Sequence, residues 1–276
     1  MTVAHPFLKF AGGKTALLPL ILPRLPKKIK TYYEPFVGGG AVFFALAAEG
    51  RFKKAVIGDS NQELVNAYIA LTIDADHVIR ALEKHVYEEK YYYDVRAQDP
   101  NKLSSSARAA RFIYLNKTCF NGLWRVNKAG HFNVPFGRYT NPMICDEENL
   151  RVVETVLRGE VSIWGSDFEE RVGQAKRGDA VYFDPPYAPA SKTANFTAYT
   201  KGGFGLEEQV RLRDVAAKLV KKGVHVLLSN SNTPLVRRLY RHKSFYFEKV
   251  QAPRRINSKG GKRGDIGELL ISGRIR

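Results

Sequence analysis

The chain has 276 residues, 44% hydrophobic and 12% aromatic, enough for one or two domains around a real core. Its 44 Lys+Arg against 27 Asp+Glu leave a formal charge of +17, which favours a polyanionic partner. A membrane surface is the competing partner and ranks lower, because the sequence has no long basic amphipathic helix and no lipidation signal. The early apolar run ALLPLILP is short and broken by Pro19 and Pro23, so neither a membrane span nor a signal peptide is expected. Cys119 and Cys145 form no CxxC or Cys/His pattern and read as reduced thiols of a cytosolic protein. The six histidines are scattered without metal-ligand spacing, so no metal is inferred.

Taken in chain order, the first motif is FAGGKT, Phe10 to Thr15. A phosphate loop would need glycine at position 8, where Leu8 stands, and no strand precedes it. The glycines can instead close over a nucleoside, with Lys14 offering a charge to a carboxylate. TYYEPF then reads as a strand, followed by the turn Gly38, Gly39, Gly40 and a helix over about 40–49. The dinucleotide pattern GxGxxG is incomplete, because Phe43 occupies its last glycine. Glu34 precedes the turn, and the next strand, KAVIGD, ends in Asp59, where an acid can hold ribose hydroxyls. A helical pattern follows over 61–72.

From about 73 to 145 no core strand is expected. A helical stretch carries Tyr87, Tyr91, Tyr92 and Tyr93, and a Gly/Asn-rich segment follows. This interval reads as a subdomain, 73–145, inserted into a sheet domain formed by 1–72 and 146–276. Between Arg96 and Arg138 eight Lys/Arg face one acid, Asp99, which favours a nucleic-acid face over a merely solvated one. LNKTCFNGLWRVNKAGHFNVPFG suggests a β-hairpin, though NKAG fits an ordinary surface turn too. Arg125 at such a tip could grip a guanine. Phe120 reads equally as a wedge into a base stack or as core, and Trp124 as core.

Further helices are expected over 146–158, 206–222 and 233–242, alternating with the strands VSIWG, AVYFD, VHVLLSN, FYFEKV and ELLISG. That alternation predicts an α/β sheet with crossover helices. The strand AVYFD runs into Asp184-Pro185-Pro186-Tyr187. Two prolines must stop a strand, because neither has an N–H for the ladder. They also leave a carboxylate, a carbonyl on a stiff loop and an aromatic face together where open α/β sheets bind ligands. A turn with a capping Asp is the plain reading of the DP step. The basic stretch from Gln251 has seven Lys/Arg against two acids.

With these residues assembled, the chain resembles the Dam family of DNA adenine methyltransferases. The blocks that carry the resemblance are FLKFAGGK, EPFVGGG, FNGLWRVN with GHFNVPFGRY, YFDPPYAP with TANFTAY, and GELLISG, in the family's order over nearly the whole chain. The resemblance implies a seven-stranded Rossmann-like methyltransferase sheet with helices on both faces, S-adenosylmethionine as cofactor and duplex DNA as partner; a monomer is the simplest expectation for the assembly. It implies cofactor contacts for Phe10, Lys14, Asp59 and Asp184, with Glu34, Phe36 and the glycines Gly38 to Gly40 shaping that pocket. Asp167 and Phe168 would meet its adenine ring. Asp184, Pro185, Pro186 and Tyr187 would form the catalytic loop. Lys9, Leu123, Arg125, Pro135 and Arg138 match the DNA-reading segments, and Phe120 with Asn121 matches a pair that inserts into the duplex. Phe10 and Phe120 stand where relatives often carry Trp and Tyr. GATC is the expected site.

Transfer to an RNA adenine or to the 4-amino group of cytosine is the alternative within methyl transfer. The hairpin with Arg125 speaks against RNA, whose major groove is closed to side chains. An inactive DNA-binding regulator on the same fold is the alternative of a different class, and the intact Asp184, Pro185 and Tyr187 speak against it. The loop from Ala188 to Gly203 either closes over the base or is a plain surface loop.

Overall fold

The computed structural model describes residues 2–10, 12–187, 204–251 and 267–274. After a 3-10 turn, the chain forms α1 (Leu18–Ile21), β1 (Ile29–Glu34), α2 (Ala41–Ala48), β2 (Phe52–Gly58) and α3 (Gln62–Ile73). Next come α4 (Ala75–Leu82), α5 (Glu89–Ala97), α6 (Ser105–Thr118) and α7 (Glu147–Leu157). The remainder is β3 (Val161–Trp164), α8 (Phe168–Val172), β4 (Ala180–Phe183), α9 (Leu206–Lys221), β5 (His225–Ser231), α10 (Pro234–Leu239), β6 (Phe245–Val250) and β7 (Glu268–Gly273). Each of the seven expected strands is present. The order in the sheet is β3-β2-β1-β4-β5-β7-β6. β4 pairs parallel with β1 and β5, while β7 runs antiparallel to both β5 and β6.

Local chemistry explains the helix starts. Asn61, Asp74, Ser104, Asp146, Asp167 and Thr233 each accept a backbone N–H in the first turn of α3, α4, α6, α7, α8 and α10. α2 begins differently, from Gly40 in the left-handed region (φ 74). Its sequence AVFFALAA is apolar all round, as befits a buried helix.

The chain divides into two compact units. The first comprises Met1–Thr15, Val37–Gly50 and Ile57–Ser166. It is mainly helical, with α6 packed on α3, α4 and α5, and α7 on α3 and α4. Tyr68, Phe112 and Tyr114 are fully buried in it, and Phe7 meets Tyr68 edge-on at 5.1 Å. This unit contains all of the expected subdomain 73–145 and also takes in the N-terminal segment, the glycine turn and α3.

The second unit comprises Ala16–Phe36, Arg51–Val56 and Asp167–Arg276. Strand alternation sorts its core. Val181, Phe183, Val226, Leu228, Leu269 and Ile271 point to one face, against Leu212, Val215, Ala216 and Leu219 of α9 and Val236 of α10. Every residue of β4 is buried, so both of its faces are covered. β5 is buried through Ser231 as well, although its last three residues are polar. The strand order reverses between β1 and β4, and the carboxyl ends of these two strands flank the usual ligand position in such sheets.

Candidate active site and nucleic-acid interface

In the second unit, Asp184 follows the last residue of β4, and the chain turns at Pro185 and Pro186. Pro185 is buried, while Asp184 and Tyr187 are partly exposed. Two carboxylates flank this point. Glu34, at the end of β1, is buried and accepts the Tyr32 hydroxyl at 2.8 Å. Glu268, at the start of β7, accepts the Tyr187 hydroxyl at 2.7 Å. Burial and then Asp184 and Glu268 hold the Tyr187 hydroxyl well above the ordinary tyrosine range, so it stays a neutral donor. Burial and the Asp184 charge do the same to Tyr182, whose hydroxyl lies 2.6 Å from Ser229 Oγ. The Pro186 carbonyl accepts from Gln209 Nε2 at 3.0 Å.

Phe36 lies 5.4 Å from Phe168 and 5.4 Å from Phe204, forming an aromatic group beside the end of β1. Phe168 is itself buried, and the Arg211 guanidinium lies 4.5 Å from its ring centre. Asp167 caps α8 through Glu169 N and forms an ion pair with Arg211. Core packing takes most of the Phe168 ring, while Phe36 and Phe204 are partly exposed.

The first unit holds the glycine turn. Gly38 N donates to Asp59 Oδ2 at 3.2 Å, and Asn61 N donates to Oδ1 at 3.0 Å. Burial raises the Asp59 carboxyl above its ordinary value, against these backbone donors. Gly38 and Gly40 both have positive φ, at 48° and 74°. A Cβ on Gly38 would lie 3.3 Å from the Phe10 ring, and one on Gly40 would lie 2.6 Å from the Tyr68 hydroxyl. Phe10 thus covers the turn, and Lys14, which is buried, donates to Gly12 O at 2.6 Å. A bare backbone turn beside an aromatic ring and a strand-end carboxylate is a cradle suited to a nucleoside-bearing cofactor.

The same unit brings the expected DNA-reading residues together. Asn116 is fully buried and ties two distant segments, accepting from Lys9 N at 2.7 Å and donating to Lys9 O at 2.6 Å and Gly122 O at 3.2 Å. Gly122 is needed there, since a Cβ would lie 2.5 Å from the Lys9 Cβ. Lys9 Nζ reaches over the Tyr139 ring at 3.9 Å, and burial lowers its pKa from the ordinary value. Phe120 is 46% exposed, beside Asn121 in the left-handed region (φ 54). Leu123 is exposed.

The hairpin is present as a short ladder. Cys119 bridges Phe136, Val126 bridges Phe132, and Asn127 N donates to His131 O at 2.8 Å around the turn. Arg125 is exposed and donates from Nε to Asn133 Oδ1 at 2.7 Å. Pro135 is exposed, and its carbonyl accepts Phe120 N at 2.9 Å. Trp124 stacks on Phe132 at 4.5 Å and meets Phe112 at 4.4 Å, the core role expected of it. The tyrosine cluster anchors the hairpin base, with Tyr92 donating to Val134 O at 2.8 Å and Tyr87 to Gly137 O at 2.5 Å.

The basic bias divides. Arg111 is buried and donates to the Val95 and Arg96 carbonyls, and Arg108 pairs with Glu63. Lys102, Arg125, Lys128 and Arg138 are exposed. The loop from Ala188 to Gly203 and most of the basic stretch after Gln251 lie outside the described residues. Among the described residues no cluster of His, Cys, Asp and Glu could hold a metal ion, and no helix is long and apolar enough to cross a membrane. Cys119 is buried and its thiol is pushed up to about 11.

Sequence reasoning missed Gln209, Asn116, Asn133 and Arg211, and it gave Glu268 no role. The one local signal was the polar run Ser229-Asn230-Ser231 inside a strand that is otherwise apolar and buried.

Residues 10–256 match the model of the D12 class N6 adenine-specific DNA methyltransferases. The chain is 45% identical to the Type II methyltransferase M1.LlaDCHI of Lactococcus lactis subsp. cremoris, covering 97% of this chain and 95% of that protein. It is 47% identical to the Type II methyltransferase M.MjaIII of Methanocaldococcus jannaschii, over 96% and 98% of the two chains. It is 37% identical to the DNA adenine methylase of Escherichia coli strain K12, over 96% and 93%. The chain is therefore an S-adenosylmethionine-dependent DNA methyltransferase and belongs to the D12 class of N6 adenine-specific enzymes.

Proposed function

We propose that the enzyme methylates the 6-amino group of adenine in duplex DNA after extruding the base, that its site is GATC, and that it works as a cytoplasmic monomer. The observation that carries this reading is the Asp184–Tyr187 loop at the end of β4, with Tyr187 tethered to Glu268.

The amine of adenine is a poor nucleophile, because its lone pair is delocalised into the ring. Asp184 accepts one amine hydrogen and the Pro185 carbonyl accepts the other. Together they draw the nitrogen toward tetrahedral geometry and free the lone pair. A prolyl ring on each side of the Pro185 carbonyl keeps it aimed. Tyr187 offers its face to the base, which cannot be reached inside a duplex. Stacking of this kind is worth ~1–3 kcal/mol per base, comparable with the cost of unstacking.

When bound, S-adenosylmethionine supplies an electrophilic methyl group. In the first unit, Phe10, Lys14, Gly38, Gly40 and Asp59 are its proposed contacts, with Asp59 taking ribose hydroxyls. In the second unit, Glu34, Phe36, Asp167, Phe168 and Asp184 are proposed to do so. Lys9, Leu123, Arg125, Pro135 and Arg138 are the proposed DNA contacts, and the exposed Phe120 with Asn121 is the proposed wedge.

The test is transfer of labelled methyl to a GATC duplex, to the same bases scrambled, and to the RNA version. Label on the GATC duplex alone is the expected result. Equal label on the scrambled duplex would discard the site, and label on RNA alone would discard the substrate. Asp184→Ala should abolish transfer in a protein that still folds, and retained turnover would end this mechanism.

A further inference from the structure

Pro185 and Pro186 have no N–H, so the loop between Asp184 and Tyr187 offers its surroundings few backbone donors. Its carbonyls are the remaining handles, and the Pro185 carbonyl is the one needed by the amine in the reading above. The Pro186 carbonyl is held from outside, by Gln209 Nε2 of α9 at 3.0 Å. Gln209 is only 1% exposed and has no solvent to satisfy it. Its Oε1 accepts from Asn230 Nδ2 of β5 at 3.0 Å. Asn230 is fully buried, and its Oδ1 accepts Ser231 N at 2.8 Å.

This chain has a direction. Ser231 N can only donate, so Asn230 must present its oxygen there and its amide nitrogen to Gln209. Gln209 then presents its oxygen to Asn230 and its nitrogen to Pro186. A side-chain amide can be turned either way in isolation, but here a strand N–H sets both. Structural burial alone needs no such polarity, and an apolar pair would fill the same volume.

We propose that Gln209 and Asn230 form a buried amide relay that positions the catalytic loop, with Gln209 a positioning residue that fixes the Pro186 carbonyl and so the aim of Pro185 and Tyr187. The proposal rests on the assignment of Asp184–Tyr187 as the catalytic loop.

Gln209→Glu tests it through pH. An ionised carboxylate still accepts from Asn230 but confronts the Pro186 carbonyl with a second acceptor. A protonated carboxyl restores a donor, and burial raises its pKa toward the working range. The readout is kcat per cofactor-binding site, counted by S-adenosylmethionine titration, as a ratio to the unsubstituted enzyme. The expected ratio is low at about pH 8 and rises severalfold toward about pH 6. A ratio that does not change with pH overturns the proposal.

Gln209→Met keeps the volume and removes the donor at every pH. It should lower kcat by about 10- to 100-fold with a flat ratio and unaltered KM for the cofactor. It should also alter 2-aminopurine emission from a duplex carrying that base at the target, at saturating protein. Unsubstituted kcat and emission in this variant overturn the proposal even where Gln209→Glu fails to fold. Failure of the adenine reading itself would show in the unsubstituted enzyme, which would label no DNA adenine. Failure of the relay shows only in the variants.

Discussion

The hydroxyl of Tyr187 donates to Glu268 across 81 positions of sequence, joining the end of β4's loop to the first residue of β7. On the proposed mechanism the ring stacks on an extruded base and gains from being held in one plane, because only the ordered geometry contributes to the reaction. Tyr187→Phe keeps the ring and frees it from Glu268, and should lower kcat by about fivefold, on the scale of one ordinary hydrogen bond of about 1 kcal/mol. Tyr187→Ala should lose about 1–3 kcal/mol of stacking as well, and lower the 2-aminopurine signal of flipping. Equal kcat in the two variants would sink the stacking role.

Gly40, in the glycine turn that opens α2, is a position that tolerates no side chain. It has φ 74, and an added Cβ would meet the Tyr68 hydroxyl at 2.6 Å and the Phe44 ring at 2.9 Å. Gly40→Ala should destabilise the protein by about 1–2 kcal/mol from the left-handed backbone alone, before any clash. Adding Tyr68→Phe should relieve the hydroxyl contact alone and leave the backbone cost together with the Phe44 contact. Thermal unfolding of the single and double variants separates the two, and an unshifted midpoint in Gly40→Ala would contradict the geometry.

Arg125 is braced by Asn133 through both a side-chain and a backbone acceptor, at 2.7 Å and 3.3 Å. As a reader of a base edge it should discriminate by about 1–3 kcal/mol. Arg125→Ala should therefore narrow the ratio of kcat/KM between GATC and single-substituted duplexes by about tenfold or more at the base it reads. Lys128→Ala, on the turn beside it, should weaken binding to all sequences alike and reduce its salt dependence. A uniform loss in Arg125→Ala would reassign that residue to the phosphates.

His85 stacks on Tyr114 at 4.5 Å, and burial lowers its pKa to about 4. The folded state therefore disfavours the imidazolium. The stabilisation is fully present above the unfolded value of about 6.5 and is lost as pH falls toward 4. The full shift corresponds to about 3 kcal/mol, and the ring's partial exposure reduces it. His85→Phe should flatten the fall in melting temperature over that window. An unchanged fall would locate the acid sensitivity elsewhere.

Asp59 titrates in the opposite functional sense. Its carboxyl is raised by burial, so its ionised form costs folding stability, a cost absent below the unfolded pKa and complete above the folded one. In the proposed cofactor pocket the ionised carboxylate is the stronger acceptor for ribose hydroxyls. Cofactor affinity should therefore fall on acidification sooner than an ordinary aspartate would allow, and Asp59→Asn should be weaker at neutral pH but insensitive there. Calorimetric titration against pH checks both.

Sequence alone determined the parts whose cause is local. Strands such as AVYF announce themselves by an apolar run, helices such as α9 by apolar period, and the turn at Gly38–Gly40 by residues that tolerate positive φ. The Asp-Pro-Pro-Tyr stop was legible for the same reason, since proline's missing N–H acts within the chain's own next residue. The fate of individual basic residues was not legible. Arg111 turns inward to the Val95 and Arg96 carbonyls while Arg125 faces solvent, and charge counts cannot tell them apart. Only tertiary structure decided which polar side chains hold the site together. Asn116 reaches Lys9 across 107 positions, and Gln209 reaches Pro186 from a helix that the sheet carries past the loop. The second of these bonds depends on the pairing register of β4 and β5, and both depend on which way each side chain leaves its element. A one-residue slip would reverse every face, and that register is set by the packing of the whole core rather than by any short stretch.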